Sequence, residues 1–159
     1  MGSMENKLDI AKDWLPRYTC KPLDEFGHHI LLTNFSDYVE NFANKFNSDI
    51  YGEKKPMQAS TNSDGLTIIN YGIGSPNAAT IMDLLVACNP SGVLFLGKCG
   101  GLKQRSEIGN FILPIAAIRG EGTSNDYFPP EVPALPCLLY TSDAADDMQC
   151  VDLGGRRII

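Results

Sequence analysis

An α/β fold is predicted by three features of this sequence. Two short apolar runs end in clusters of glycine and charge: Val93-Leu94-Phe95-Leu96 leads into Gly97-Lys98-Cys99-Gly100-Gly101, and Ile112 to Ile118 leads into Arg119-Gly120-Glu121-Gly122-Thr123-Ser124. Buried parallel strands read as such continuous apolar runs, and in open α/β sheets the ligand crevice lies at their carboxyl ends. The third feature is a strand-helix-strand order from Leu66 to Leu96, which implies a right-handed crossover between parallel strands. Glycines at strand ends let backbone N–H groups approach a ligand, and Lys98, Arg119 and Glu121 supply charge that a core would not tolerate. A small polar ligand is expected.

The elements follow in order. Leu8, Ala11, Trp14 and Leu15 fall on one helical face before Pro16, which predicts a short helix docked by its apolar stripe. Ile30 to Leu32 read as a strand. Ser36 suits the N-cap of a helix whose Tyr38, Val39, Phe42 and Phe46 recur at helical spacing. Met57 to Ser60 pair with Leu66 to Tyr71 in a hairpin across Thr61-Asn62-Ser63-Asp64-Gly65. Ser75 and Pro76 fit the cap and first turn of a helix carrying Ala78, Ile81, Leu84, Leu85 and Cys88, closed by Asn89-Pro90-Ser91-Gly92.

With 159 residues, one domain with a real core is expected. A hydrophobic fraction of 43% and a charged fraction of 20% belong to an ordinary globule. The net charge of −6 argues against nucleic acid as a partner. No apolar stretch approaches the roughly 20 residues that span a bilayer, and Met1 to Lys12 lacks the apolar centre of a signal peptide, so a cytoplasmic protein without a membrane partner is expected. Five cysteines without CxxC or Cys/His spacing indicate reduced thiols rather than disulfides or zinc. His28 and His29 are adjacent and would face opposite sides of a strand, so they do not share a metal and read as structural or exposed. No metal and no cofactor are expected.

Two motif look-alikes fail on their chemistry. Gly72-Ile73-Gly74 lies between strand and helix like a dinucleotide fingerprint, but Asn77 holds the last glycine position and no acid ends the next strand to hold a ribose. Gly92 to Lys98 has the spacing of a phosphate loop, yet its middle four residues are an apolar strand and Cys99 replaces the hydroxyl that would ligate magnesium.

Several blocks together resemble the nucleoside phosphorylase superfamily and, within it, the AMP nucleosidases. They are Tyr71 to Ala78, Leu96 to Leu102, Ala117 to Ser124, and Tyr127 to Ala134, with Pro16-Arg17-Tyr18-Thr19 and Leu32-Thr33-Asn34-Phe35 near the start. The resemblance runs from about Leu15 to Pro136 and implies a mixed sheet flanked by helices, with AMP as a small-molecule substrate cleaved by water to adenine and ribose 5-phosphate. It also implies a homo-oligomer at full length. Breaking a ribosyl C–N bond builds positive charge on the sugar and negative charge on the base, so such a site needs an acid at the purine, electrostatic support at the ribose and a positioned water.

By that resemblance the substrate-binding residues are Gly74, Gly97, Lys98, Cys99, Gly100, Arg119, Glu121, Thr123, Tyr127 and Arg17. Lys98, Arg119 and Arg17 are expected to hold the 5′-phosphate, and Tyr127 or Phe128 to cover the base. Lys98 stands where phosphorylases commonly have a small hydroxyl residue for inorganic phosphate, and Phe95 where they often place an arginine; both departures favour water as the nucleophile. Blander readings stand beside these: Lys98 as a solvated strand end, Arg119 with Glu121 as a surface ion pair, and Cys99 as a small buried residue.

No catalytic residue is assigned, because the superfamily's later Met-Glu segment, which grips the ribose, and its purine-protonating aspartate have no counterpart in this sequence. From Cys137 the chain departs from the family pattern, and Cys137 to Asp147 resembles the translation of a sequencing-library adapter. The expected organisation is a partial catalytic domain over 1–136 and an unrelated tail over 137–159. The expected behaviour is that of a marginal, aggregation-prone fragment without turnover, its sheet edge unpaired and its apolar face uncovered. Two rival classes remain: a nucleoside phosphorylase of the same fold, marked by a need for inorganic phosphate, and a non-catalytic module that binds purine nucleotides.

Overall fold

The computed structural model describes residues 4–102 and 107–136. The chain divides into two compact units, Met1–Leu96 and Gly97–Ile159. The tail expected from Cys137 onward lies outside the described residues.

The first unit is a four-stranded mixed sheet with helices on both faces. Its elements are α1 (Met4–Thr19), β1 (His29–Thr33), α2 (Ser36–Phe46), β2 (Gln58–Thr61), β3 (Leu66–Asn70), α3 (Ser75–Leu84) and β4 (Gly92–Leu96). The strand order is β2-β3-β1-β4. β1 pairs in parallel with both β3 and β4, while β2 and β3 form the antiparallel hairpin that the turn-rich residues 61–65 predict. The segment from β3 through α3 to β4 therefore joins parallel strands as expected, with β1 lying between them. Asn62 organises the hairpin loop, its Oδ1 accepting from the N–H groups of Asp64 and Leu66 at 3.1 and 2.9 Å.

Side-chain alternation sorts the two faces. Ile30 and Leu32 of β1 join Ala11, Leu15, Ile69, Ile81, Leu84 and Val93 in one buried cluster beneath α1 and α3. Leu31 packs instead with Ile68, Val39 and Phe42 beneath α2. Burying each such Leu, Ile or Phe contributes about 1.5–3 kcal/mol, so both helix layers are held chiefly by apolar burial.

Three boundaries differ from the sequence expectation. α1 does not stop before Pro16 but runs to Thr19, where Cys20 turns the chain at φ 56°. A proline in the last turn removes only one intrahelical bond, and the Pro16 carbonyl still accepts from Cys20 N–H at 2.8 Å. Trp14, expected on the apolar stripe, is half exposed. Ser36 and Ser75 are first helical residues rather than caps; Phe35 and Gly74 occupy the cap positions, neither with a side-chain capping bond.

In the second unit, the strand expected over Ile112 to Ile118 does not form. Residues 111–118 are exposed, and their pairing among the described residues is an isolated bridge between Ala117 and Ala134. A buried parallel strand needs neighbours along its edges and cover on both faces, which this run does not find. In the first unit, β4 ends the strand order, and its Leu94 and Phe95 are half exposed. No described helix is long and apolar enough to cross a membrane.

Candidate functional site

The carboxyl ends of β1 and β3 lie side by side. Thr33 is in register with Asn70, and Tyr71 N–H donates to the Thr33 carbonyl at 3.1 Å, so Asn34 and Tyr71 open neighbouring loops. Asn70 Oδ1 accepts from Gly72 N–H at 3.0 Å and bends the chain there. Gly72 and Gly74 then adopt φ of 85° and 102°, a region that favours glycine, and the second of them is the N-cap of α3. Gly74 itself has no side chain to cap α3, and Pro76 in the first turn has no N–H to satisfy. At the end of the neighbouring β1, Asn34 Oδ1 is buried and has no hydrogen-bond partner. Tyr71, whose hydroxyl is pushed above its ordinary pKa by burial, meets the ring of Phe95 at 5.9 Å between centroids.

A groove of about 330 Å³ borders this end of the sheet, lined by Trp14, Arg17, Tyr18, Lys55 and Pro56. The hairpin places it there: Gln58 is in register with Asn70, which brings the turn before β2 to the end of β3. A Cβ on Gly72 would stand 4.0 Å from the Pro56 carbonyl oxygen and 3.2 Å from Asn77 Nδ2. Two aromatic rings and two cations on one concave surface suit a ligand with a planar base and a negative group. Arg17 is exposed and ion-paired with Asp13 at 2.9 Å.

The second unit holds the loop that follows the Ile112 run. Arg119 donates from Nε to the Val132 carbonyl at 2.6 Å, from Nη1 to Ser124 and Phe128 at 2.7 and 3.1 Å, and from Nη2 to Phe128 at 3.2 Å and to Pro129. These bonds engage all five guanidinium hydrogens, so in this structure Arg119 fastens the loop to itself. Glu121 completes the turn, its carboxylate accepting from Thr123 and Ser124 N–H, each at 2.9 Å. Tyr127 is half-buried and its N–H bonds the Ser124 carbonyl at 3.1 Å. Arg119, Glu121, Thr123 and Tyr127 thus share one compact loop.

Gly97, Lys98, Cys99 and Gly100 follow β4 as exposed residues without regular structure. Cys99 is therefore not the small buried residue of the blander reading. His28 and His29 are exposed, as expected. Two contributors were not singled out in the sequence: Lys55, whose place depends on the hairpin register, and Asn34, whose only signal was membership of the Leu32-Thr33-Asn34-Phe35 block.

Cysteine reactivity follows from burial. The Cys88 thiol is pushed up to about 11, chiefly by desolvation, whereas Cys20 and Cys99 are exposed. Brief iodoacetamide treatment at pH 8 with peptide mapping is expected to label Cys20 and Cys99 while sparing Cys88 until the protein is denatured.

A mixed sheet whose parallel strands end in glycine-bearing turns at the start of a helix, beside an aromatic and cationic groove, is the setting in which open α/β proteins bind small ligands. The chain belongs to the Phosphorylase superfamily, whose family model matches residues 29–151. It is similar to the crystal structure of AMP nucleosidase from Bacteroides thetaiotaomicron VPI-5482, with 56% identity and a TM-score of 0.78 over 83% of this chain and 57% of that one. AMP nucleosidase of Escherichia coli (strain K12) is 26% identical over 163 residues, covering 80% of this chain and 34% of the relative. Guanosine phosphorylase of Halorubrum lacusprofundi is 37% identical over 84 residues, 53% of this chain and 35% of the relative. The chain spans about a third of the length of these two relatives.

Proposed function

We propose that this chain is part of the catalytic domain of an N-glycosidase that hydrolyses AMP to adenine and ribose 5-phosphate. The observation that carries the reading is the 56% identity to an AMP nucleosidase over 83% of the chain, far above the similarity to any phosphorylase named here. In this reading the glycine-rich turn before α3 accommodates the nucleotide, Lys98 and Arg17 neutralise its phosphate, Arg119 and Glu121 shape the loop that carries Tyr127, and Tyr127 or Phe128 covers the base. Gly97, Cys99, Gly100 and Thr123 line the nucleoside.

In this proposal no residue of the chain is assigned to protonate the purine, so the purified 159 residues are expected to release no adenine from AMP. Adenine release by the chain alone would overturn that. The organisation proposed is a partial catalytic domain over 1–136 followed by an unrelated tail; the family match ends at residue 151, inside that tail, so resequencing the gene past the codon for Pro136 decides the boundary.

In the uninterrupted gene product, adenine and ribose 5-phosphate should form without inorganic phosphate. The similarity to guanosine phosphorylase favours a second reading, phosphorolysis, under which activity requires phosphate and yields ribose 1-phosphate. A charge-assisted hydrogen bond to phosphate contributes about 1.5–3 kcal/mol, so Lys98→Ala should weaken AMP binding by about 10-fold or more in calorimetric titration. Unchanged affinity would remove Lys98 from the site.

A further inference from the structure

We infer that Asn34 is an acceptor held in readiness for a hydroxyl at the bound nucleotide, either a sugar hydroxyl or the water that attacks the sugar. The inference rests on the nucleotide-site reading above. Its starting point is a physical anomaly: Asn34 Oδ1 is buried without a hydrogen-bond partner, although buried polar atoms are nearly always paired because an unmade bond is costly.

The location gives the anomaly a purpose. Asn34 directly follows β1, the strand flanked by β3 and β4, and so sits at the end of the sheet where the Gly72–Gly74 turn and the start of α3 also lie. Its backbone surroundings are fixed from both sides, with Phe35 N–H on Thr33 Oγ1 at 3.2 Å and Tyr71 N–H on the Thr33 carbonyl at 3.1 Å. The chemistry of the atom narrows the ligand group. A carboxamide oxygen accepts and cannot donate, so a phosphate oxygen would meet it acceptor to acceptor. An O–H group is complementary and leaves no buried charge.

Calorimetric titration of the 159-residue chain and its Asn34→Ala variant with AMP, 2′-deoxy-AMP, 3′-deoxy-AMP and adenine separates the sources. Asn34→Ala should weaken AMP binding about 3- to 10-fold. If the partner is a sugar hydroxyl, the variant and the parent bind one of the deoxynucleotides alike; if it is water, the loss is the same for all three nucleotides and absent for adenine. Equal AMP affinity in parent and variant overturns the inference, as does an equal loss for adenine. Asn34→Leu supplies a second readout. An oxygen that serves only a ligand destabilises the free protein, so replacing it with an apolar group of similar shape should raise the thermal midpoint of the free chain by a few degrees. A lowered midpoint would make the residue structural and overturn the inference. Failure of the parent chain itself to bind AMP removes the nucleotide reading and this inference with it, a result distinct from parent binding that the variant leaves unchanged.

Discussion

Gly27→Ala is expected to destabilise the fold by about 3 kcal/mol or more, enough to lower the midpoint of urea unfolding severely or to prevent folding. The backbone at Gly27 has no unusual torsion; the requirement is for space. A Cβ there would lie 1.9 Å from the Gly65 carbonyl oxygen and 2.3 Å from its carbon, and these are backbone atoms that no rotamer change can move. The contact joins the approach to β1 to the hairpin loop before β3. Gly27 N–H donates to Thr67 Oγ1 at 2.8 Å, and His29 N–H to the Gly65 carbonyl at 3.4 Å. Separating the two segments would strain the β1–β3 pairing whose carboxyl ends build the candidate site. Gly65→Ala is the informative control. Gly65 has φ 78° but no atom near a Cβ, so alanine there adds only the left-handed strain of about 1–2 kcal/mol. Finding Gly65→Ala the more damaging of the two would refute the steric account.

The contrast between those glycines shows where sequence reading succeeds and where it stops. The strands β1, β3 and β4, the hairpin, and the helices α2 and α3 were legible because local periodicity and turn chemistry specify them, and their buried faces agree: Val39 and Phe42 on α2, Ile81 and Leu84 on α3. Boundaries were less legible. Ser75 is the better capping side chain, but the chain must leave Tyr71 through positive φ, and glycine at 74 takes the cap position. The Ile112 run carries the pattern of a buried strand, yet pattern alone cannot supply the neighbours that make one. In the candidate site, glycine and charge at strand ends were visible, whereas the groove arises from hairpin register and the unmet acceptor on Asn34 from three-dimensional packing. Arg119 was visible as a cation but not as the hub of five bonds to its own loop.

Gly52→Ala should combine a comparable loss of stability with a loss of ligand binding, because Gly52 joins the two walls of the groove. At φ 75° an alanine is already strained, and its Cβ would meet the Met57 carbonyl oxygen at 2.4 Å and the Thr19 carbonyl oxygen at 2.7 Å. The turn cannot easily give way. Tyr51 and Ala59 exchange two backbone bonds at 2.8 and 3.0 Å, and Lys55 N–H closes on the Gly52 carbonyl at 2.9 Å. The almost wholly buried Lys21 side chain holds Tyr51 from the other side, its ammonium 4.3 Å from the ring centroid and 3.1 Å from Glu25 Oε2. Left-handed strain and overpacking together cost about 3–5 kcal/mol if the loop stays in place. Relief requires the last turn of α1, with Arg17 and Tyr18, to part from Lys55 and Pro56. Thermal unfolding should therefore show a large drop in midpoint, and at temperatures where the variant remains folded its AMP affinity should fall by at least 10-fold in calorimetric titration. A variant that folds with undiminished AMP affinity would separate the groove from the nucleotide site and confine the ligand to the strand ends.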